Sequence, residues 1–271
     1  MPAKRKSKKL RIADRDAAAK SFWIGRSQDR AASYFGLIER KGRVPSNWRS
    51  TAGLQKCDSM LRLSGVPGRK GIAKLVADRF VELQKRGVRR KVEFLDAGCA
   101  LGQVIAELGS SPITRGKVTL SGLTLARPLG EKQLKSRYLA LKQKLINSKE
   151  RGKIEKLDFN YEQAVNELKL WQRNKAKAEK VHVGLAETQR FGKTFDLIVS
   201  TGMLEVALNP VQAVENLVNH LRVGGTAILQ LGSVLPEEKM NKLAQDGFRL
   251  ESFGKNVYRI DRTTRRTAKL L

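Results

Sequence analysis

From residue 92 onward the apolar positions change their spacing at regular intervals. Val92-Glu93-Phe94-Leu95-Asp96 is a short apolar run ending in an acid, and Val104, Ile105, Ala106 and Leu108 then recur at helical spacing. Strand-like runs follow at 117–123, 180–183, 194–200 and 226–231. Between the last two, Asn209-Pro210 opens a helix carrying Ala213, Val214, Leu217, Val218 and Leu221, and Arg222-Val223-Gly224-Gly225 is expected to cap it. Upstream, Leu75, Val76, Phe80 and Leu83 mark an amphipathic helix over 73–85. At the other end, two short strand patterns around Gly254 predict an antiparallel hairpin at a sheet edge over 247–262. Strands alternating with helices predict an α/β fold, a doubly wound and mostly parallel sheet with helices on both faces.

One stretch breaks this rhythm. Residues 131–180 hold 14 basic and 7 acidic side chains. Helical spacing persists in Leu134, Tyr138, Leu141 and Leu145, and again in Tyr161, Ala164, Val165, Leu168 and Trp171. Two helices are expected, the second an insertion over or beside the sheet.

Charge then changes the picture. The 271 residues hold 54 Lys and Arg against 26 Asp and Glu, a net +28. Residues 1–91 alone hold 25 basic and 7 acidic side chains, +18 of that total. Residues 1–20 read as a flexible basic arm and 21–90 as a basic, aromatic-containing extension. The α/β domain spans 91–262, and 263–271 is a basic tail. Lys4, Arg5, Lys6, Lys8, Lys9 and Arg11 suit phosphate contacts, which release counterions from a polyanion. Trp23, Tyr34 and Trp48, interleaved with Arg26, Arg43 and Arg49, offer faces on which unpaired bases can stack. The same aromatics would equally staple the arm to the main domain. RNA is the partner these features predict. Two cysteines, Cys57 and Cys99, and two histidines, His182 and His220, supply neither a disulfide framework nor a zinc site. A reducing, cytoplasmic compartment is expected, with no membrane-spanning segment and no secretory signal.

The turn after the first strand, Asp96-Ala97-Gly98-Cys99-Ala100-Leu101-Gly102, resembles the first motif of class I S-adenosylmethionine-dependent methyltransferases, with Ala100 at its middle glycine. Phe195-Asp196-Leu197-Ile198-Val199-Ser200 resembles that family's fourth strand. Leu204-Glu205-Val206-Ala207-Leu208-Asn209-Pro210 is similar to the segment after it, and Leu221-Arg222-Val223-Gly224-Gly225 to the turn before the fifth strand. Gly184-Leu185-Ala186-Glu187 stands where the family has a motif beside the adenine. These motifs run in the family's order over about residues 92–232. The resemblance implies a Rossmann-like sheet with S-adenosylmethionine in the crevice at its strand ends. It implies contacts from Asp96, Ala97, Gly98, Cys99, Ala100, Gly102, Thr124, Leu125, Ala186, Glu187 and Ser200.

The departures bear on chemistry. Thr124 replaces the acid that usually ends the second strand and holds the ribose, and Leu185 removes an acceptor near the adenine. Val206 stands at a common histidine and cannot carry a proton. Catalytic motifs of the exocyclic-amine, 5-methylcytosine and ribose 2′-O enzymes are absent. Cys99 reads as a small turn residue, not a nucleophile. Glu205 is the acid best placed for proton transfer near the fourth strand, and helix capping explains it as well. Three readings follow. The first is an RNA methyltransferase. The second is a degenerate methyltransferase fold serving as an RNA-binding or ribosome-associated module. The third is a small-molecule or lipid methyltransferase.

Overall fold

The central apolar runs fold as strands buried on both sides, while the edge run 180–183 buries only His182. In the computed structural model the described residues are 71–99, 101–124, 130–149, 151–201, 203–204, 207, 209–253 and 256–263. The elements are α1 (Ile72–Lys85), β1 (Val92–Ala97), α2 (Gln103–Ser110), β2 (Val118–Thr124), α3 (Glu131–Asn147), α4 (Arg151–Lys175), β3 (Lys180–Val183), β4 (Phe195–Ser200), α5 (Pro210–Asn219), β5 (Leu221–Gln230), α6 (Glu237–Gln245), β6 (Phe248–Phe253) and β7 (Val257–Arg262). Seven strands form one sheet in the order β3-β2-β1-β4-β5-β7-β6. The first five are parallel, and β7 enters antiparallel between β5 and β6.

Side chains alternate along each strand, so the run of apolar residues feeds two cores. Leu95, Ala97, Ile198, Ala227 and Leu229 pack with Ala213, Val214, Leu217 and Val218 of α5 and Leu243 of α6. Phe94, Leu197, Val199 and Ile228 point the other way, onto Ile72, Val76 and Leu83 of α1 and Val104, Ile105 and Leu108 of α2. Helix α5 starts where Asn209 accepts a hydrogen bond from Gln212 N at 3.1 Å, with Pro210 pre-set at the first helical position. The two helices expected in 131–180 are α3 and α4, which pack on each other with Tyr138 stacked on Tyr161 at 4.3 Å.

One expectation needs correction. Arg222–Gly225 does not cap α5: the helix ends at Asn219 with His220 as its cap, and those residues lie inside β5. They form a bulge, since Phe195 pairs with Leu221 but Leu197 pairs with Thr226. Gly225 sits so close to β4 that a Cβ there would lie 3.0 Å from the Asp196 carbonyl oxygen and 3.1 Å from that of Phe195. The antiparallel hairpin expected at the sheet edge is present, with β7 in the inner place and β6 at the edge.

The sheet has a distinct lower end, away from the crevice. Asp196, fully buried at the start of β4, accepts from Arg90 Nη2 at 2.8 Å, from Arg79 Nη2 at 3.4 Å and from Glu93 N at 2.9 Å. Burial alone would raise this carboxyl. Hydrogen bonds from Arg90 and the Glu93 amide, with the charges of Arg90 and Arg79, hold it below the ordinary value.

Candidate functional site

Parallel pairing brings the carboxyl ends of β1, β2 and β4 together, with Asp96 opposite Gly122 on one side and Val199 on the other. Asp96, one residue before the end of β1, and Thr124 and Ser200, the last residues of β2 and β4, therefore sit at one end of three adjacent strands, and all three are buried. Among the described residues no donor reaches the Asp96 carboxylate. Burial raises it to about 7. The Ser200 hydroxyl is fully buried and has no hydrogen-bond partner.

The turn after β1 is held by β2 and by the loop after β4. Gly98 N and Cys99 N both donate to the Leu123 carbonyl, at 2.8 and 2.9 Å, so neither amide is left to a ligand. Gly98 has φ +100°. A Cβ there would lie 2.5 Å from the Met203 Cβ. The space that glycine leaves at this point is taken by the chain's own Met203, not left as a cradle. Ala97 and Cys99 are buried in the two cores. Burial and the neighbouring Asp96 charge push the Cys99 thiol up, which removes it as a nucleophile. Gly102 caps the start of α2 in the left-handed region, φ +75°.

The loop after β3 closes another side. Ala186 is buried, and its carbonyl accepts from Asn216 Nδ2 at 2.8 Å, as does that of Gln189 at 3.0 Å. Glu187 Oε1 accepts from Asn209 N at 3.2 Å, tying this loop to the start of α5. Leu185 is buried beside Ala186. Asn216 and Met203 were not singled out from the sequence. The Asn216 amide interrupts an otherwise apolar helix face, which was the available signal, whereas nothing in the sequence marks Met203.

Of the remaining candidates, Ala100, Leu125 and Glu205 lie outside the described residues, as do Lys4, Arg5, Lys6, Lys8, Lys9, Arg11, Trp23, Arg26, Tyr34, Arg43, Trp48 and Arg49. His182 packs edge-on against Phe191 at 5.0 Å, and burial holds its imidazole below the ordinary value. His220 meets the same ring at 4.9 Å and caps α5, so both histidines serve packing.

The Asp96 carboxylate, buried with no donor among the described residues, fits the cationic sulfonium and ammonium of S-adenosylmethionine, whereas the Gly98 and Cys99 amides are already taken. No protein-family model matches this sequence, and no curated protein matches it either. Several solved structures are similar in fold. The amino pentose methyltransferase CalS10 of Micromonospora echinaspora is 18% identical, over 71% of this chain and 62% of its own, with a TM-score of 0.33. DesVI of Streptomyces venezuelae is 11% identical over 81% of this chain and 96% of its own, TM-score 0.43. The magnesium protoporphyrin IX methyltransferase ChlM of Synechocystis PCC 6803 is 14% identical over 85% and 94%, TM-score 0.36. The chain thus spans less than two thirds of CalS10. The strand order, with its antiparallel β7, and the acid-bearing turn after β1 give this chain the class I S-adenosylmethionine-dependent methyltransferase fold.

Proposed function

We propose that this chain is an S-adenosylmethionine-dependent methyltransferase. The observation that carries the reading is the Asp96 carboxylate, buried at the end of β1 with no donor among the described residues. When bound, the cofactor supplies an electrophilic methyl group on a sulfonium. Asp96 would hold its positive charge, with Thr124 and Ser200 supplying hydroxyls at the ends of the neighbouring strands. Ala186 and Glu187 would border the far end, with Asn216 fixing their loop. Methyl transfer needs chiefly a positioned acceptor. Where the acceptor must also lose a proton, Glu205 is the group this reading assigns. Calorimetric titration with S-adenosylmethionine and its demethylated product tests the proposal. Micromolar binding of both supports it, and no heat with either at millimolar concentration defeats it.

The acceptor we favour is a small molecule. The acceptors named for the similar structures are of that kind, an amino pentose for CalS10 and magnesium protoporphyrin IX for ChlM. A second reading, RNA as acceptor or partner, is favoured by the +18 carried on residues 1–91. Its aromatic and basic candidates all fall within residues 1–70. Salt-titrated RNA binding separates the two. If RNA is held there, removing residues 1–20 makes the log–log salt slope shallower by a few units, at about 0.7–0.9 per lost phosphate contact. An unchanged slope, or no RNA binding in the full chain, leaves the small-molecule reading.

A further inference from the structure

We infer that Asn174, at the end of the α3–α4 insertion, is a positioning residue for the turn that bears the cofactor site. The inference rests on the methyltransferase reading only for what the turn holds, not for the contact itself. Asn174 is 3% exposed, and its Nδ2 donates to the Leu101 carbonyl at 2.9 Å. Leu101 lies in the turn between Gly98 and Gly102, 73 residues earlier in the chain. At the next position the contact is steric. A Cβ on Gly102 would lie 3.2 Å from the Asn174 Cβ, so the helix end is seated on the residue that starts α2. Two turns further along α2 the same fit recurs, where a Cβ on Gly109 would lie 3.1 Å from the Lys177 Cβ. Residues seven apart share a helix face, so α2 presents two small positions to the end of α4 and the turn after it. Immediately beyond, Glu179 N donates to the Leu120 carbonyl at 2.8 Å, fixing the chain to β2.

The turn is therefore clasped from three sides. Its Gly98 and Cys99 amides are bound to β2, its Gly98 face abuts Met203, and its Leu101 carbonyl is taken by Asn174. The first two come from elements that belong to the sheet. The third comes from the insertion, which on this reading is part of the framework of the cofactor site and not an appendage. A buried carbonyl stripped of its donor costs free energy, and the turn would relieve that cost by shifting towards water. The shift moves Gly98 and Asp96 with it, which makes the effect one on affinity and local order together.

Hydrogen exchange on the full chain, without cofactor, tests this first. In the parent, amides of 101–106 and of 170–175 should lose protection at the same urea concentration, as one cooperative unit. Separate loss would overturn the inference with no mutant needed. Asn174→Leu keeps the volume and removes the donor, and amides of 101–106 should then exchange about tenfold faster while β4 and β5 keep parental rates. Lys177→Ala keeps the Cβ that meets α2, removes the rest of the side chain without touching Leu101, and should change the turn less than threefold. Acceleration spread evenly over the sheet, or none at the turn, overturns the inference. Cofactor titration completes the test, with affinity about tenfold weaker in Asn174→Leu, 1.4 kcal/mol. If the parent binds no cofactor the methyltransferase reading falls, and the exchange data still decide the role of Asn174.

Discussion

Asp96 is the side chain whose state most directly links pH to function. Its folded-state value of about 7 lies above the ordinary 3.8, so between those pH values the folded protein keeps a proton that the unfolded chain has released. The stability this group contributes is full below about pH 4 and is lost as pH rises towards 7. Asp96→Asn should therefore leave stability near pH 4 unchanged and raise it at pH 8, which urea unfolding at the two pH values checks. Binding of a cation reverses the preference, because it needs the carboxylate. Cofactor affinity should weaken about tenfold per pH unit below 7 in the parent, and the slope should vanish in Asp96→Asn. Next to it, Gly98→Ala would force Met203 aside and adopt a backbone angle disfavoured for a residue with a Cβ. Overpacking of this kind costs about 1–3 kcal/mol. Adding Met203→Gly, which removes the Cβ met at 2.5 Å, should recover the steric part and leave a residue of about 1–2 kcal/mol from the left-handed backbone. Full recovery in the double variant would mean that the backbone angle carries no cost.

Among the elements, those with a strong local period were legible in the sequence and those set by tertiary contact were not. Six residues of β4 are all buried, and the apolar run 194–200 announces them. Helix α6 was not anticipated, since its nine residues bury only Leu243 and its pattern is too short to separate from a loop. Arg222–Gly225 misled for a physical reason. Two glycines after a helix are the usual stop signal, whereas here Gly225 serves close approach to β4. In the site, the acid, the glycines and the strand-end hydroxyls could be read from motif order. Met203, Asn216 and Asn174 could not, because each acts on a distant segment and carries no local pattern. Asp196 shows the same division. It was legible as a motif residue, but its work of joining α1, Arg90 and β1 was not. Asp196→Ala leaves buried Arg79 with Glu82 alone, strips Arg90 of its carboxylate, and should cost about 3–5 kcal/mol in urea unfolding at pH 7. Since this carboxyl titrates below the ordinary value, the parent's advantage is present above about pH 4 and is lost as pH falls through the folded-state value. A parental midpoint in Asp196→Ala would show that the three donors are satisfied elsewhere.

At the scale of the molecule, the strand order decides when the sheet can close. Strand β1 stands between β2 and β4, and the ion pair that seals its lower end joins Arg90 to Asp196, 106 residues later. On a ribosome adding about 5–20 residues per second, roughly 5–20 s separate the two partners. Throughout that interval β1 can pair with β2 alone, so one edge of an apolar strand stays open, a hazard that finished sheets avoid. Nascent chains ending near residue 190 should thus bind a holdase chaperone and resist folding, and chains extended past about 235 should release it. Insertion α3–α4 falls within the wait and lengthens it by about 50 residues, or about 2–10 s. In return it delivers the helix end that seats on α2, so the segment that delays closure of the sheet also braces the turn after β1 before β4 arrives.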